Sequence, residues 1–271
     1  MKKLKKRIKK SLKRYLLDKL TDIDYSFQVE EDDIFLASYP KSGNTWMRFL
    51  LSNIIIDDEI NFVNVEEIII DLSKLTSSNI KRSQKYNIIK THSPYYIKFS
   101  SNKIIYIVRD VRDVVISTYY HYKKGSGIEI EFEDFFEMFL DGSAWPTYGT
   151  WGENVGSWIG AKSGDKENFL LIRYEDLLDD TFSSLKNICN FLNLNVSDNK
   201  IAKSVRKCDF KELQNNEIKY ENIAPQTKDC RKDIKFFRNG TSGQWKDVLT
   251  EDQLNQLYKK FGTQMKLFGY L

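Results

Sequence analysis

Short apolar runs of strand type alternate along this chain with stretches whose apolar residues recur at helical spacing. The first run, Ile34-Phe35-Leu36-Ala37-Ser38-Tyr39, ends at Pro40, which cannot donate to a central ladder. A tight polar loop follows, after which Met47, Phe49, Leu50, Leu51, Ile54 and Ile55 bury one face of a predicted helix. Asn87-Ile88-Ile89-Lys90 is a second short strand, and Pro94 stops regular structure just beyond it. Lys103 to Val108 is the clearest strand, and it runs into a helix over 111–122 with Val114, Val115, Thr118 and Tyr119 inward. Phe132, Phe135, Phe136 and Phe139 mark an acidic-aromatic helix. Residues 168–173 form another buried strand, with a helix after it through Phe182, Leu185, Ile188, Cys189 and Leu192. Thr250 and Gln253 make a capping box for a helix carrying Leu254, Leu257, Tyr258 and Phe261 on one face. Residues 57–86 read as polar and irregular around an Ile-rich piece at 65–72, with no chemistry assigned.

Composition adds bounds to this pattern. With 271 residues, 41% of them hydrophobic and 14% aromatic, the chain suits one large α/β domain in preference to two small ones. Its three cysteines, Cys189, Cys208 and Cys230, have no paired or metal-like spacing, so a reducing compartment without a disulfide framework is expected. Two histidines argue against a metal site. The net charge of +4 belongs to the first 20 residues, which hold ten Lys/Arg and one acid, Asp18. The remainder has 32 basic against 37 acidic residues, a net −5, which argues against nucleic-acid binding.

Within that tail, Leu4, Ile8, Leu12 and Leu16 recur every four residues among lysines, which predicts a basic amphipathic helix over 1–24, ahead of a domain at 25–271. Two readings stay open: docking on an anionic membrane surface, or packing against its own domain. The tail lacks the apolar core of a signal peptide, and no later run of about 18 apolar residues could span a membrane. A cytoplasmic protein, peripheral at the inner membrane surface if the tail docks, is the expectation.

The loop after the first strand has the chemistry of an anion cradle. A helix start offers unpaired N–H groups and the positive end of the helix dipole. Gly43 lets the backbone approach an anion, Ser42, Asn44 and Thr45 add donors, and Lys41 adds a full charge. A nucleoside-triphosphate loop requires Gly, four residues, then Gly-Lys-Ser/Thr; here Lys41 precedes the loop's glycine and the pattern fails. The spacing of a dinucleotide loop fails as well.

Pro40-Lys41-Ser42-Gly43-Asn44-Thr45-Trp46 resembles the 5'-phosphosulfate loop of cytosolic-type sulfotransferases, which use 3'-phosphoadenosine-5'-phosphosulfate (PAPS) and release 3',5'-diphosphoadenosine (PAP). The usual form has Thr at Asn44. Lys90-Thr91-His92-Ser93-Pro94 resembles the segment that carries the family's catalytic base, and imidazole has the proton affinity for that task. Val108-Arg109-Asp110 with Asp113 and Ser117 resembles the 3'-phosphate site, in which Arg109 and Ser117 grip the phosphate. Tyr148-Gly149-Thr150-Trp151, with Val155 and Trp158, resembles a helix leading from the acceptor region. Tyr174-Glu175-Asp176 and Phe210 are similar to segments near adenine, with Asp209 and Leu213 in place of the usual Ser and Met. Arg238-Asn239-Gly240, before Gly243-Gln244-Trp245-Lys246, resembles the segment that closes over the 3'-phosphate, although its lysine is Asn239 here. Polar residues 220–236, punctuated by Pro225, read as a lid.

This resemblance implies a three-layer α/β fold with a mostly parallel central sheet, helices on both sides and a P-loop-like phosphosulfate loop. It implies sulfuryl transfer from PAPS to a hydroxyl, or secondarily an amine, of a small-molecule, glycan or glycolipid acceptor. His92 would be the base, with Lys41 on the bridging oxygen and Lys90 on the sulfuryl oxygens. Lys41, Ser42, Gly43, Asn44, Thr45 and Trp46 would hold the donor, Trp46 stacking on adenine. No metal is called for, because lysines stand in its place. Lys246 with Thr250 resembles the start of a family dimer motif, Glu251 and Asn255 replacing its Val and Glu, so a homodimer is one expectation. A nucleotide kinase, or a non-catalytic PAPS-binding protein at a membrane, are the competing readings. His121, in a Tyr-rich helix end, is given no role.

Overall fold

The computed structural model describes residues 29–74, 86–95, 99–126, 129–162 and 164–271. The predicted basic helix over 1–24 lies outside the described residues.

Strand β1 (Asp33–Ser38) leads into helix α1 (Asn44–Ile55). There follow a one-turn helix α2 (Val65–Ile68), a two-residue strand β2 (Ile70–Asp71) and a short 3-10 turn (Leu72–Lys74). Strand β3 (Asn87–Thr91) and strand β4 (Lys103–Val108) come next, and then helices α3 (Val111–Ser126), α4 (Phe132–Leu140) and α5 (Trp151–Lys162). Strand β5 (Phe169–Arg173) is followed by α6 (Tyr174–Asp179) and α7 (Thr181–Phe191). The remainder is helical: α8 (Asp198–Lys207), α9 (Phe210–Tyr220), the short α10 (Trp245–Val248) and α11 (Glu251–Leu267).

The strands form one parallel sheet in the order β2-β3-β1-β4-β5. Because successive side chains on a strand face opposite ways, β1 sends Ile34 and Leu36 to one core and Phe35 and Ala37 to the other. Helix α1 covers the first face through Met47, Leu50 and Leu51, joined by Leu185 and Ile188 of α7. Trp151 and Trp158 of α5, with Phe261 of α11, cover the second, as do Val114 and Val115 of α3. The predicted three-layer α/β architecture is therefore the one observed.

Differences from the predicted elements are local. The Ile-rich piece in 57–86 is a helical turn and an edge strand rather than irregular chain, since Arg48 ties it to α1 by donating to the Val65 and Ile69 carbonyls at 3.2 and 2.6 Å. One predicted helix after β5 is two, broken at Asp180, whose carboxylate caps the second by accepting from the Ser183 amide at 2.9 Å. The capping box at Thr250 and Gln253 is formed as predicted. In the sheet, β1 is flanked by β3 on one side and β4 on the other. The parallel strands release their loops on one edge, and a crevice opens there beside β1.

Candidate active site

A cavity of about 580 Å³ occupies that crevice. Of the residues that the sequence reading assigns to the site, Ser42 alone is not in its wall; its side chain is buried beneath the loop, and Oγ has no partner.

The loop after β1 is shaped by two left-handed residues, Lys41 at φ 69° and Gly43 at φ 99°. A side chain at Gly43 would meet Tyr174 Cδ2 at 2.6 Å, so glycine answers both the backbone conformation and the close approach. Asn44 uses its side chain inward, Nδ2 donating to the Leu36 carbonyl at 3.3 Å and to Ser38 Oγ at 3.1 Å. It therefore staples the loop to β1, and the first amides of α1 are the donors a helix start leaves for an anion. Trp46 is fixed by its indole N–H, which donates to the Cys208 carbonyl at 3.1 Å, and it packs edge-on to Tyr174 with ring centroids 5.9 Å apart. Phe210 lines the same cavity, with its ring against Gly240.

His92 follows β3. Its Nδ1 lies 2.8 Å from the Ser38 carbonyl oxygen and 3.3 Å from Ser38 Oγ. A carbonyl can only accept, so Nδ1 carries the hydrogen and Nε2 keeps the lone pair. Burial first, then the charges of Lys90 and Lys41, push the imidazole down to about 3, which leaves the ring neutral at physiological pH. Asn154 holds the backbone here, donating to the His92 carbonyl at 2.9 Å.

Cations gather on the other side of the loop. Arg109 donates to the Lys41 carbonyl at 3.3 Å and to the Thr241 carbonyl at 3.0 Å, and its guanidinium lies 4.1 Å from the centre of the Tyr174 ring. Arg238 sits 4.2 Å over Tyr120 and donates to Gln244, while Asn239 donates to the same oxygen at 3.4 Å. Ser117, one side chain of α3, faces the same cavity as Arg109 although the two are eight positions apart, because Arg109 precedes the helix. The Lys41 ammonium is pushed down to about 7 by burial and then by Arg109, Lys124 and Arg238, against one carboxylate, Glu217, that pulls the other way. Such a cluster fits a ligand bearing several negative charges.

Asp113 belongs to the quoted arginine motif, and its structural work is specific. It accepts from the Gly243 and Trp245 amides at 2.6 and 3.2 Å, clasping the chain after Gly240 against α3.

Several residues to which sequence reasoning gave no site role, or only a place near the acceptor region, stand in or behind the wall. Asp71 of β2 pairs with Lys90 at 2.5 Å. His121 lines the cavity with its ring stacked near Trp145, centroids 5.9 Å apart, and Trp145 and Tyr148 continue that wall to His92. The segment read as a lid is anchored by a fully buried pair, Lys124 and Glu217 at 3.4 Å, whose carboxylate also accepts from the Phe236 and Phe237 amides at 2.6 and 3.0 Å. Asp71 had one signal, an acid directly after three isoleucines, and Tyr148 had its resemblance to the acceptor-region helix; His121, Lys124 and Glu217 had none short of the fold.

Residues 31–269 match the family described as "Sulfotransferase domain". Curated relatives include 3-beta-hydroxysteroid sulfotransferase of Cavia porcellus, 30% identical over 263 residues and covering 93% of this chain and 89% of the relative. Sulfotransferase 2A2 of Mus musculus is 28% identical over 268 residues, covering 94% and 91%. Among solved structures, mouse sulfotransferase SULT7A1 complexed with PAP matches with a TM-score of 0.72 and 30% identity, covering 91% of this chain and 89% of that one. Retinol dehydratase in complex with androsterone and PAP shares the fold, with a TM-score of 0.75 at 22% identity over 93% of this chain and 86% of that one.

Proposed function

We propose a reaction for this chain from one premise: it belongs to the sulfotransferase domain family. The protein is accordingly a sulfotransferase. The donor in our reading is PAPS, and the acceptor is a hydroxyl, or secondarily an amine, of a small molecule, glycan or glycolipid. PAPS supplies an activated sulfuryl group.

His92 Nε2 takes the acceptor's proton as the acceptor oxygen forms its bond to sulfur. The bond between sulfur and the bridging oxygen breaks in line, and Lys41 neutralises the charge that gathers on that oxygen. Lys90 and the amides around Gly43 hold the sulfuryl oxygens. Arg109, Ser117, Arg238 and the Gly240 amide hold the 3'-phosphate, with Asn239 beside them, while Trp46, Tyr174 and Phe210 enclose the adenine. The products are a sulfate ester and PAP, and no metal takes part. The cytoplasm is the compartment we assign, where the three free thiols Cys189, Cys208 and Cys230 are at home.

The observation that carries this reading is His92: its hydrogen is committed to the Ser38 carbonyl, so a neutral, lone-pair-bearing nitrogen stands in one cavity with Lys41 and Arg109. The test is calorimetric titration with PAP, 5'-AMP and ATP. Selective, magnesium-independent binding of PAP is expected, weakened about tenfold or more by Arg109→Ala through loss of charge-assisted hydrogen bonds. A preference for ATP with magnesium would favour the kinase reading and reject this one.

A further inference from the structure

The outermost strand contributes one charged group to the cavity. Ile70 and Asp71 pair in parallel with Ile89 and Lys90, which sets Asp71 beside Lys90 on neighbouring strands. Asp71 Oδ2 lies 2.5 Å from Lys90 Nζ, and the two side chains are 14% and 10% exposed. Its other oxygen accepts from the Ser73 amide and hydroxyl at 3.0 and 2.8 Å, so the carboxylate is held from behind and presents a fixed counter-charge. His92 is two residues beyond Lys90, in the wall of the same cavity.

A lysine this buried keeps its proton only beside a counter-charge. The charges facing Lys90 are Asp71 from β2, Glu66 from α2 and Arg48 from α1. Burial and Arg48 favour the neutral amine; Asp71 is the largest opposing influence, and Glu66 is a smaller one. Glu66 itself is shared with Lys74 and, at 3.9 Å, with Arg48.

We infer that Asp71 is a positioning residue for sulfuryl transfer: it holds Lys90 charged and aimed at the sulfuryl oxygens, acting through Lys90 without touching the donor. The inference rests on the reading that Lys90 faces the sulfuryl group. It also explains why an acid follows the three isoleucines at the sheet's edge.

Because PAP has no sulfuryl group, comparing it with PAPS isolates the effect. Asp71→Asn keeps the shape and removes the charge. Its affinity for PAP should stay within about threefold of wild type, while kcat/KM for PAPS falls about tenfold or more. Asp71→Glu should recover part of the loss. Lys90→Gln combined with Asp71→Asn leaves no lone buried charge, and it should turn over as Lys90→Gln alone does. Equal losses for PAP and PAPS, no recovery in Asp71→Glu, or a further loss in the double variant would overturn the inference. Wild-type protein that binds no PAP would instead overturn the donor assignment on which it stands.

Discussion

The two walls of the cleft are built from different kinds of sequence. On the wall we assign to the donor, the central groups sit directly after the strands that aim them, Lys41 and Gly43 after β1, Arg109 after β4 and Tyr174 after β5, with Ser117 added from α3 and Arg238 from the segment before α10. The wall we assign to the acceptor is assembled from distant pieces, His121 on α3, Trp145 and Tyr148 ahead of α5, and Phe236 before Arg238. Phosphate recognition needs backbone amides and fixed cations, and a strand-loop-helix unit supplies both within a few residues. An acceptor pocket needs only shape and a few polar groups, which any converging segments can provide.

His92 stands where the walls meet, and removing it should separate them most strongly. His92→Ala is expected to lower kcat by about 10²- to 10⁴-fold, the usual contribution of a positioned base. PAP affinity should stay within about threefold, because the base lies outside the set of phosphate contacts. Steady-state rates with saturating PAPS, alongside calorimetry, check this. Near-normal turnover with a good acceptor would show that proton removal happens elsewhere.

This contrast also accounts for what could be read in advance. Strands β1, β3 and β4 and their loops were legible because one run of residues specifies strand, turn and anion chemistry together. Asp113 was quoted within a motif, yet its job, clasping Gly243 and Trp245, depends on a segment 130 positions away and so could not be read from spacing. Strand β2 was missed for a related reason: two residues give no periodicity, and they become a strand only by pairing with β3. Lys124 and Glu217 drew no reading from the sequence, because single charges on helices are normally solvated; burial against the segment before Arg238 makes them an anchor. Asn44 was read as a donor to the anion, because nothing local shows that its amide is used up on Leu36 and Ser38.

A smaller effect should come from the donor wall's outer clamp. Gly240 has φ 67°, and a Cβ there would overlap the Phe210 ring. Gly240→Ala therefore combines a left-handed backbone with a clash at the adenine end, a strain of about 1–3 kcal/mol. PAP affinity should weaken about 5- to 150-fold, with kcat at saturating PAPS changed much less, since His92 and Lys41 lie outside that clamp. Titration of the variant with PAP is the check, and unchanged affinity would mean that Arg238-Asn239-Gly240 does not close over the phosphate.

The smallest effect concerns proton uptake, and it sharpens the comparison because His92 and Lys41 are both pushed down, but to different pH ranges. His92 is held near 3 by burial and by Lys90, so it stays neutral across the working range and adds no pH dependence to donor binding there. Lys41 is held near 7 by burial and its cationic neighbours. A bound polyanion opposes those neighbours and raises the lysine again, so above about pH 7 the free protein loses a proton that the complex keeps. Affinity for PAP should consequently be level up to about pH 7 and then weaken, by at most about tenfold per pH unit for one linked proton, until the bound lysine itself titrates. Calorimetry from about pH 6 to about pH 9 in two buffers of different ionisation enthalpy measures both the slope and the proton taken up. Glu217→Gln removes the carboxylate that supports the Lys41 charge, and the fall should then begin at lower pH. A flat profile with no proton uptake would show that Lys41 is already charged in the free protein, and that Arg109 and Arg238 press on it less than their placement implies.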